Sequence, residues 1–163
     1  MLTFTKKMEY GIIALTSLVR NPGRPRNSRE ISAEYGIPLS ILSNIMKELA
    51  KSGIVESLRG AKGGYRLHEN AEELTLGRVL EALEGKLRLT ECMDLPDGEV
   101  SDCRLEGSCP VQAPLKRLQQ KVKSLLNEVS LAEIASEPNN HLEKGPKLYE
   151  VAHIYGQPIH HSG

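Results

Sequence analysis

The chain has 163 residues, enough for one domain with a core of its own. With five Tyr, one Phe and no Trp, that core has to be aliphatic and helical. The net charge of zero conceals an asymmetry. Residues 1–70 hold eleven Lys/Arg against six Asp/Glu, a net of +5, and residues 71–163 hold ten against fifteen, a net of −5. A basic N-terminal half suits a nucleic-acid partner, with the acidic remainder held away from phosphate. No run approaches the ~18 apolar residues of a membrane span, so no membrane partner is expected. Lys6 and Lys7 ahead of Gly11–Val19 faintly resemble a leader, but Glu9 interrupts it and no small-residue cleavage site follows. Three cysteines, an odd number, argue against a secreted disulfide framework. A cytoplasmic protein is expected.

Residues 5–20 read as a first helix whose inner face includes Tyr10, Ile13, Ala14 and Leu18. A breaker-rich loop, Asn21-Pro22-Gly23-Arg24-Pro25-Arg26, follows. Asn27 with Glu30 three residues on is a capping signal for a short helix that Gly36 ends. A second helix is predicted from about Leu39 to Lys51. Leu39, Leu42, Ile45, Met46 and Leu49 cover its apolar face, and Ser40, Ile41, Ser43, Asn44 and Lys47 its outer face. Gly53 stops it. Strands at Val55–Leu58 and Tyr65–Leu67 flank the turn Arg59-Gly60-Ala61-Lys62-Gly63-Gly64. Two helices joined by a Gly turn, then a basic hairpin, spell a winged helix. Such a second helix fits the major groove, and the cationic wing a minor groove or the phosphates. As a phosphate loop the turn is weak, because Lys62 is followed by Gly rather than Ser or Thr. Thr75 caps a further short helix, carrying Leu76, Val79, Leu80 and Leu83, that ends at Gly85.

Leu87 to Gln112 is acidic, turn-rich and holds Cys92, Cys103 and Cys109. A segment with so little core of its own gains order from an external cross-link. Thiolates are ligands of iron–sulfur clusters and of zinc, and three free thiols are the plainer alternative. The compact Cys spacing of structural zinc sites is absent. Beyond it a long helix is predicted from about Pro114 to Ser136. Leu115, Leu118, Val122, Leu125, Val129 and Ala132 recur at 3, 4, 3, 4, 3, an a/d seam that predicts a homodimer. Two recognition helices on a two-fold axis would read a pseudo-palindromic operator in double-stranded DNA. Glu137-Pro138-Asn139-Asn140 reads as a linker to a tail of unassigned role. In that tail Tyr149, Val151, Ile154 and Tyr155 could dock on the body, while His141, His153, His160 and His161 are scattered.

Three stretches carry a family likeness: Lys6 to Ala14 (K-K-M-E-Y-G-I-I-A), Gly36 to Leu49 (G-I-P-L-S-I-L-S-N-I-M-K-E-L) and Leu58 to Leu67 (L-R-G-A-K-G-G-Y-R-L). With Leu76 to Gly85 and the three later cysteines, the chain over roughly residues 1–135 resembles the winged-helix iron–sulfur transcriptional regulators that include IscR, NsrR and CymR. The resemblance implies a mainly α fold with a small β-hairpin: a winged helix-turn-helix domain (1–86), a cluster-binding loop (87–112), a long dimerisation helix (113–136) and a C-terminal extension (137–163). It places Ser40, Ile41, Ser43 and Asn44 against bases and Arg59, Gly60 and Lys62 in the wing contact. It implies an iron–sulfur cluster, two-iron or four-iron, on Cys92, Cys103 and Cys109. The first gap, ten residues here, is longer than the family's five, as if Asp97–Asp102 were inserted. The IscR-like pattern has a His three places after the third Cys, where this chain has Gln112. The NsrR-like pattern has a carboxylate just before a Tyr in the first helix, here Glu9 before Tyr10, given across the dimer. The implied function is redox, nitric-oxide or iron–sulfur sensing by a non-enzymatic repressor or other regulator. Two alternatives stay open: a cluster-free regulator working through a protein partner, zinc or thiol oxidation, and a thiol-dependent enzyme, for which no nucleophile motif is present.

Overall fold

The computed structural model describes residues 4–60, 63–90, 92–93, 103–105 and 108–136. Lys62, the Asp97–Asp102 stretch and the tail from residue 137 onward therefore lie outside the described residues.

Local capping chemistry sets the first elements. α1 (Lys6–Val19) begins where the Thr5 hydroxyl accepts the Met8 N–H. α2 (Ser28–Tyr35) opens with a complete capping box between Asn27 and Glu30 and ends at Gly36, φ 67°. α3 (Leu39–Lys51) leads through Gly53 into β1 (Val55–Leu58), which pairs antiparallel with β2 (Gly64–Leu67), Val55 opposite Leu67 and Leu58 opposite Gly64. Arg26 bridges to β2 from the other side: its N–H donates to the Tyr65 carbonyl at 2.9 Å, and the Tyr65 N–H donates to the Arg26 carbonyl at 2.8 Å. α4 (Leu76–Glu84), capped by Thr75, ends at Gly85 as expected.

The core is aliphatic, with Met8, Leu15, Ile31, Leu42, Ile45, Met46, Leu49, Ile54, Leu74, Val79 and Leu131 essentially buried and the tyrosines only at its edge. Each such side chain contributes about 1.5–3 kcal/mol on burial. α1 runs through the middle, packed on α3, α4 and α6 (Leu131–Ser136). That encirclement widens the expected inner face to its neighbours, with Tyr10 and Ile13 packed at its edge. Ala14 and Leu18 are buried, but Tyr10 and Ile13 are half-buried, and Met8, Gly11 and Leu15 take the centre. Leu39 also departs from expectation. As the first residue of α3 it lies beyond the core and is 41% exposed.

The helix expected to run unbroken to Ser136 is two helices. α5 (Gln112–Glu128) accommodates Pro114 in its first turn, where a missing N–H costs nothing. At Val129 the backbone becomes extended, φ −92° and ψ 114°. The chain there pairs with the lead-in to α4: the Leu76 N–H donates to the Val129 carbonyl at 3.0 Å and the Leu131 N–H to the Leu74 carbonyl at 2.7 Å. Ser130 then caps α6 by accepting the Glu133 N–H, and Arg20 Nε donates to the Ala135 carbonyl, tying α6 to α1. Val129 and Ala132 therefore leave the seam, which keeps Leu115, Leu118, Val122 and Leu125. The sequence held a signal for the break, since Ser130-Leu131-Ala132-Glu133 has the S-x-x-E form of a helix start.

Candidate nucleic-acid interface and cysteine segment

α3 buries Leu42, Ile45, Met46 and Leu49 and turns its other side outward. Ser40, Ile41, Asn44 and Lys47 are exposed and Ser43 is half-buried, so the four expected base-facing residues share the outer surface. Ile41, 43% exposed, is an apolar patch suited to a thymine methyl. Behind this helix the turn is fixed by the Ser32 hydroxyl, which donates to the Ile37 carbonyl at 2.6 Å.

The hairpin projects beside α3. Arg59 and Gly60 are exposed at its tip, with Gly60 at φ +113°, a conformation side chains resist, and Gly63 N–H donating to the Gly60 carbonyl at 2.9 Å. Arg66 is occupied by an ion pair to Glu56 across the strands, whereas Arg59 is ion-paired to no other described residue. The base of the wing is anchored through Arg26. Its guanidinium, mostly covered, donates to the Ser17 hydroxyl and to Glu34, and that hydrogen bond holds the Glu34 carboxyl below its ordinary value. The partners of Arg26 on α1 and α2 make this loop arginine a structural clamp.

The sulfur residues lie between α4 and α5. Cys92 is half-buried, with Thr90 Oγ1 at 3.4 Å from its Sγ. It shares a cleft of about 300 Å³ with Met93, Gln112, Ala113, Lys116 and Gln119. Cys109 is half-buried at the foot of α5, its carbonyl accepting the Gln112 N–H at 3.3 Å, and Cys103 is exposed. Gln112 therefore does stand beside Cys92, but with an amide where the IscR-like pattern has an imidazole. Glu9 lies on the first turn of α1, half exposed and paired with Lys6, whose ammonium that hydrogen bond holds above its ordinary value. The same turn is stapled to the end of α4: Thr5 Oγ1 donates to Glu84, and Lys7 Nζ to the Leu83 carbonyl. Among the described residues no three His, Cys, Asp or Glu side chains converge to hold a metal ion within one chain. The donor chemistry fits an iron–sulfur cluster, with three thiols in one connection and a carboxylate at the root of α1, but the described residues of a single chain do not close it.

A helix-turn-helix with a clamped basic wing, followed by a helix that leaves an apolar seam open, defines a winged-helix regulator. The model of the Rrf2 family, iron-dependent transcriptional regulators, matches residues 4–137, and the chain belongs to that family. It is 30% identical over 131 residues to the transcriptional regulator IscR of Vibrio atlanticus, covering 80% of this chain and 73% of that one. Its fold matches the structure of CymR, the global cysteine regulator of B. subtilis, with a TM-score of 0.65 and 28% identity over 83% of this chain and 98% of the other. The T. potens IscR structure shares the fold at a TM-score of 0.63 and 22% identity, covering 92% and 96%. None of the described helices is long and apolar enough to cross a membrane.

Proposed function

We propose that this chain is a cytoplasmic, non-enzymatic homodimer that binds a pseudo-palindromic operator and whose grip is set by an iron–sulfur cluster on its cysteine segment. The observation that carries the DNA reading is the shared outward surface of Ser40, Ile41, Ser43 and Asn44 beside Arg59 at the wing tip, which is ion-paired to no other described residue. Ser40, Ser43 and Asn44 hydrogen-bond base edges, Ile41 packs on a thymine methyl, and Arg59, Gly60 and Lys62 follow the adjacent backbone or minor groove. An Arg59→Ala protein is expected to bind its operator more weakly, with the slope of log affinity against log salt reduced by about one. A salt titration that superimposes on wild type would remove Arg59 from the contact.

The dimer reading rests on the seam. Leu118 is 49% and Leu125 60% exposed on a helix whose only buried residue is Gln119, so these two seam leucines lie open among the described residues. Leu118→Glu with Leu125→Glu should convert dimer to monomer in sedimentation and lower operator affinity by at least about tenfold, since two half-sites no longer bind as one. A dimeric double variant would overturn the assignment.

The residues that would hold such a cluster are Cys92, Cys103 and Cys109, with Glu9 of the partner subunit as fourth ligand. When bound, such a cluster supplies a redox- and nitric-oxide-reactive centre, with the iron on an oxygen donor the most exchangeable. This chain's own part is mechanical. Once ligating, its thiolates would tie their own segment down beside α5, and Glu9 sits on an α1 stapled to the end of α4. Loss of those ligands would free the joint between the winged domain and the dimer helix and shift operator affinity by the ~1–3 kcal/mol usual for such coupling. Anaerobic purification with iron and sulfide assays tests it. A second reading, a cluster-free regulator whose cysteines act as thiols, is favoured by the lack of a convergent donor group among the described residues of one chain and by the CymR-like fold. A colourless, iron-free preparation with full operator affinity would select it.

A further inference from the structure

The stripe of α5 that faces the cysteine segment is polar at its centre. Gln112, Lys116, Gln119, Lys123 and Leu126 recur at 4, 3, 4, 3, the spacing of one helix face. Two clefts lie along it. The first is walled by Gln112, Lys116 and Gln119 on one side and Cys92 and Met93 on the other; the second by Lys123, Leu126 and Asn127 against Lys86 and Leu87. The segment leading to Cys92 thus crosses α5 from the second cleft to the first, and Gln119 sits at the crossing. Only 3% exposed, it is the sole fully buried residue of α5, and its Oε1 accepts the Leu89 N–H at 2.9 Å, three residues before Cys92. Met93, just past Cys92, is 6% exposed, so the thiol lies between a pinned backbone amide and a buried side chain.

We infer that Gln119 is a positioning residue: it pins the Leu89 backbone to α5, fixes Cys92 at the cleft, and so couples the state of the cysteine segment to the dimer helix. This deepens the proposed function, since it rests on that segment being the sensing element. A buried amide serves this purpose because a backbone N–H with no partner is costly to bury, so the segment docks in one register or not at all. Both elements of the joint then move together: what displaces Cys92 displaces Leu89, and Leu89 is bonded to the helix that carries the seam.

The test is site-resolved alkylation of the full-length, reduced, metal-free protein by iodoacetamide, followed by mass spectrometry, with exposed Cys103 as internal reference. In Gln119→Leu the bulk is kept and the acceptor lost. The Cys92 rate relative to Cys103 should rise about tenfold, the effect of one hydrogen bond of the stronger neutral kind. Gln119→Glu keeps an acceptor at the same reach and should stay within about twofold of wild type. If Gln119 only fills space, the leucine variant will label like wild type and the inference falls. It falls equally if the Glu and Leu variants label alike. Should Gln119→Leu fail to fold, judged by its circular-dichroism melt, the Glu variant and Gln119→Asn, too short to reach Leu89, decide the matter in the same assay. Iron uptake by the wild type is read separately: without it the cluster reading fails, while the labelling ratio still decides the role of Gln119.

Discussion

Replacing Gly64 by Ala is expected to lower the melting temperature by about 3–10 °C and operator affinity by at least about tenfold, the former corresponding to ~1–3 kcal/mol for a chain of this size. A Cβ at Gly64 would lie 2.7 Å from the Arg26 carbonyl carbon, 2.8 Å from its oxygen and 3.0 Å from the Asn27 nitrogen. All three are backbone atoms and none can swing aside as a flexible side chain would. To make room, β2 has to move off the Arg26 backbone and break the two hydrogen bonds between Arg26 and Tyr65. Arg26 cannot follow β2, because its guanidinium is held by Ser17 on α1 and Glu34 on α2. The wing therefore shifts relative to α3. Simultaneous contact by Arg59 and by the outer face of α3 is lost even where the fold survives. Thermal melts paired with fluorescence anisotropy on operator DNA check both parts. A Gly64→Ala protein with native melting temperature and affinity would show that the wing's place does not depend on this close approach.

Alanine at Cys92, Cys103 or Cys109 should each abolish visible absorption and stoichiometric iron in protein prepared without air, and bring operator affinity to the cluster-free value. Cys103 is the most informative of the three. It is exposed, so its truncation should change stability by no more than about 0.5 kcal/mol. Loss of colour there reports a lost ligand rather than an unfolded chain. Cys92 packs in a cleft beside buried Met93, so its variant needs a melting curve alongside the iron assay. Glu9→Ala extends the series. Glu9 is half exposed on a helix capped by Thr5, so the fold should persist while iron becomes easier to remove by chelators. A Cys103→Ala protein that keeps its chromophore would take that thiol out of the ligand set and favour the cluster-free reading.

The sequence by itself determined the features that depend on neighbours a few residues apart. The Asn27–Glu30 capping box, the Thr75 cap, the left-handed turn at Gly36 and the two strands of the hairpin are satisfied by local hydrogen bonds, so residue type at fixed spacing reveals them. The outward set on α3 was legible for the same reason, since helical period separates Ser40, Ile41, Ser43 and Asn44 from the buried Leu42, Ile45 and Met46. What only the tertiary structure decided are pairings between distant segments. Val129–Leu131 closes on Leu74–Leu76 and cuts the last helix in two. Arg26 turns from a loop cation into the clamp of the wing because Ser17, Glu34 and Tyr65 arrive around it. Gln119, one polar residue among several flanking the seam, acquires its role because Leu89 passes over it. Periodicity assigns a residue to a face; which backbone then lies on that face is set by loop closure and core packing, and neither is written in local spacing.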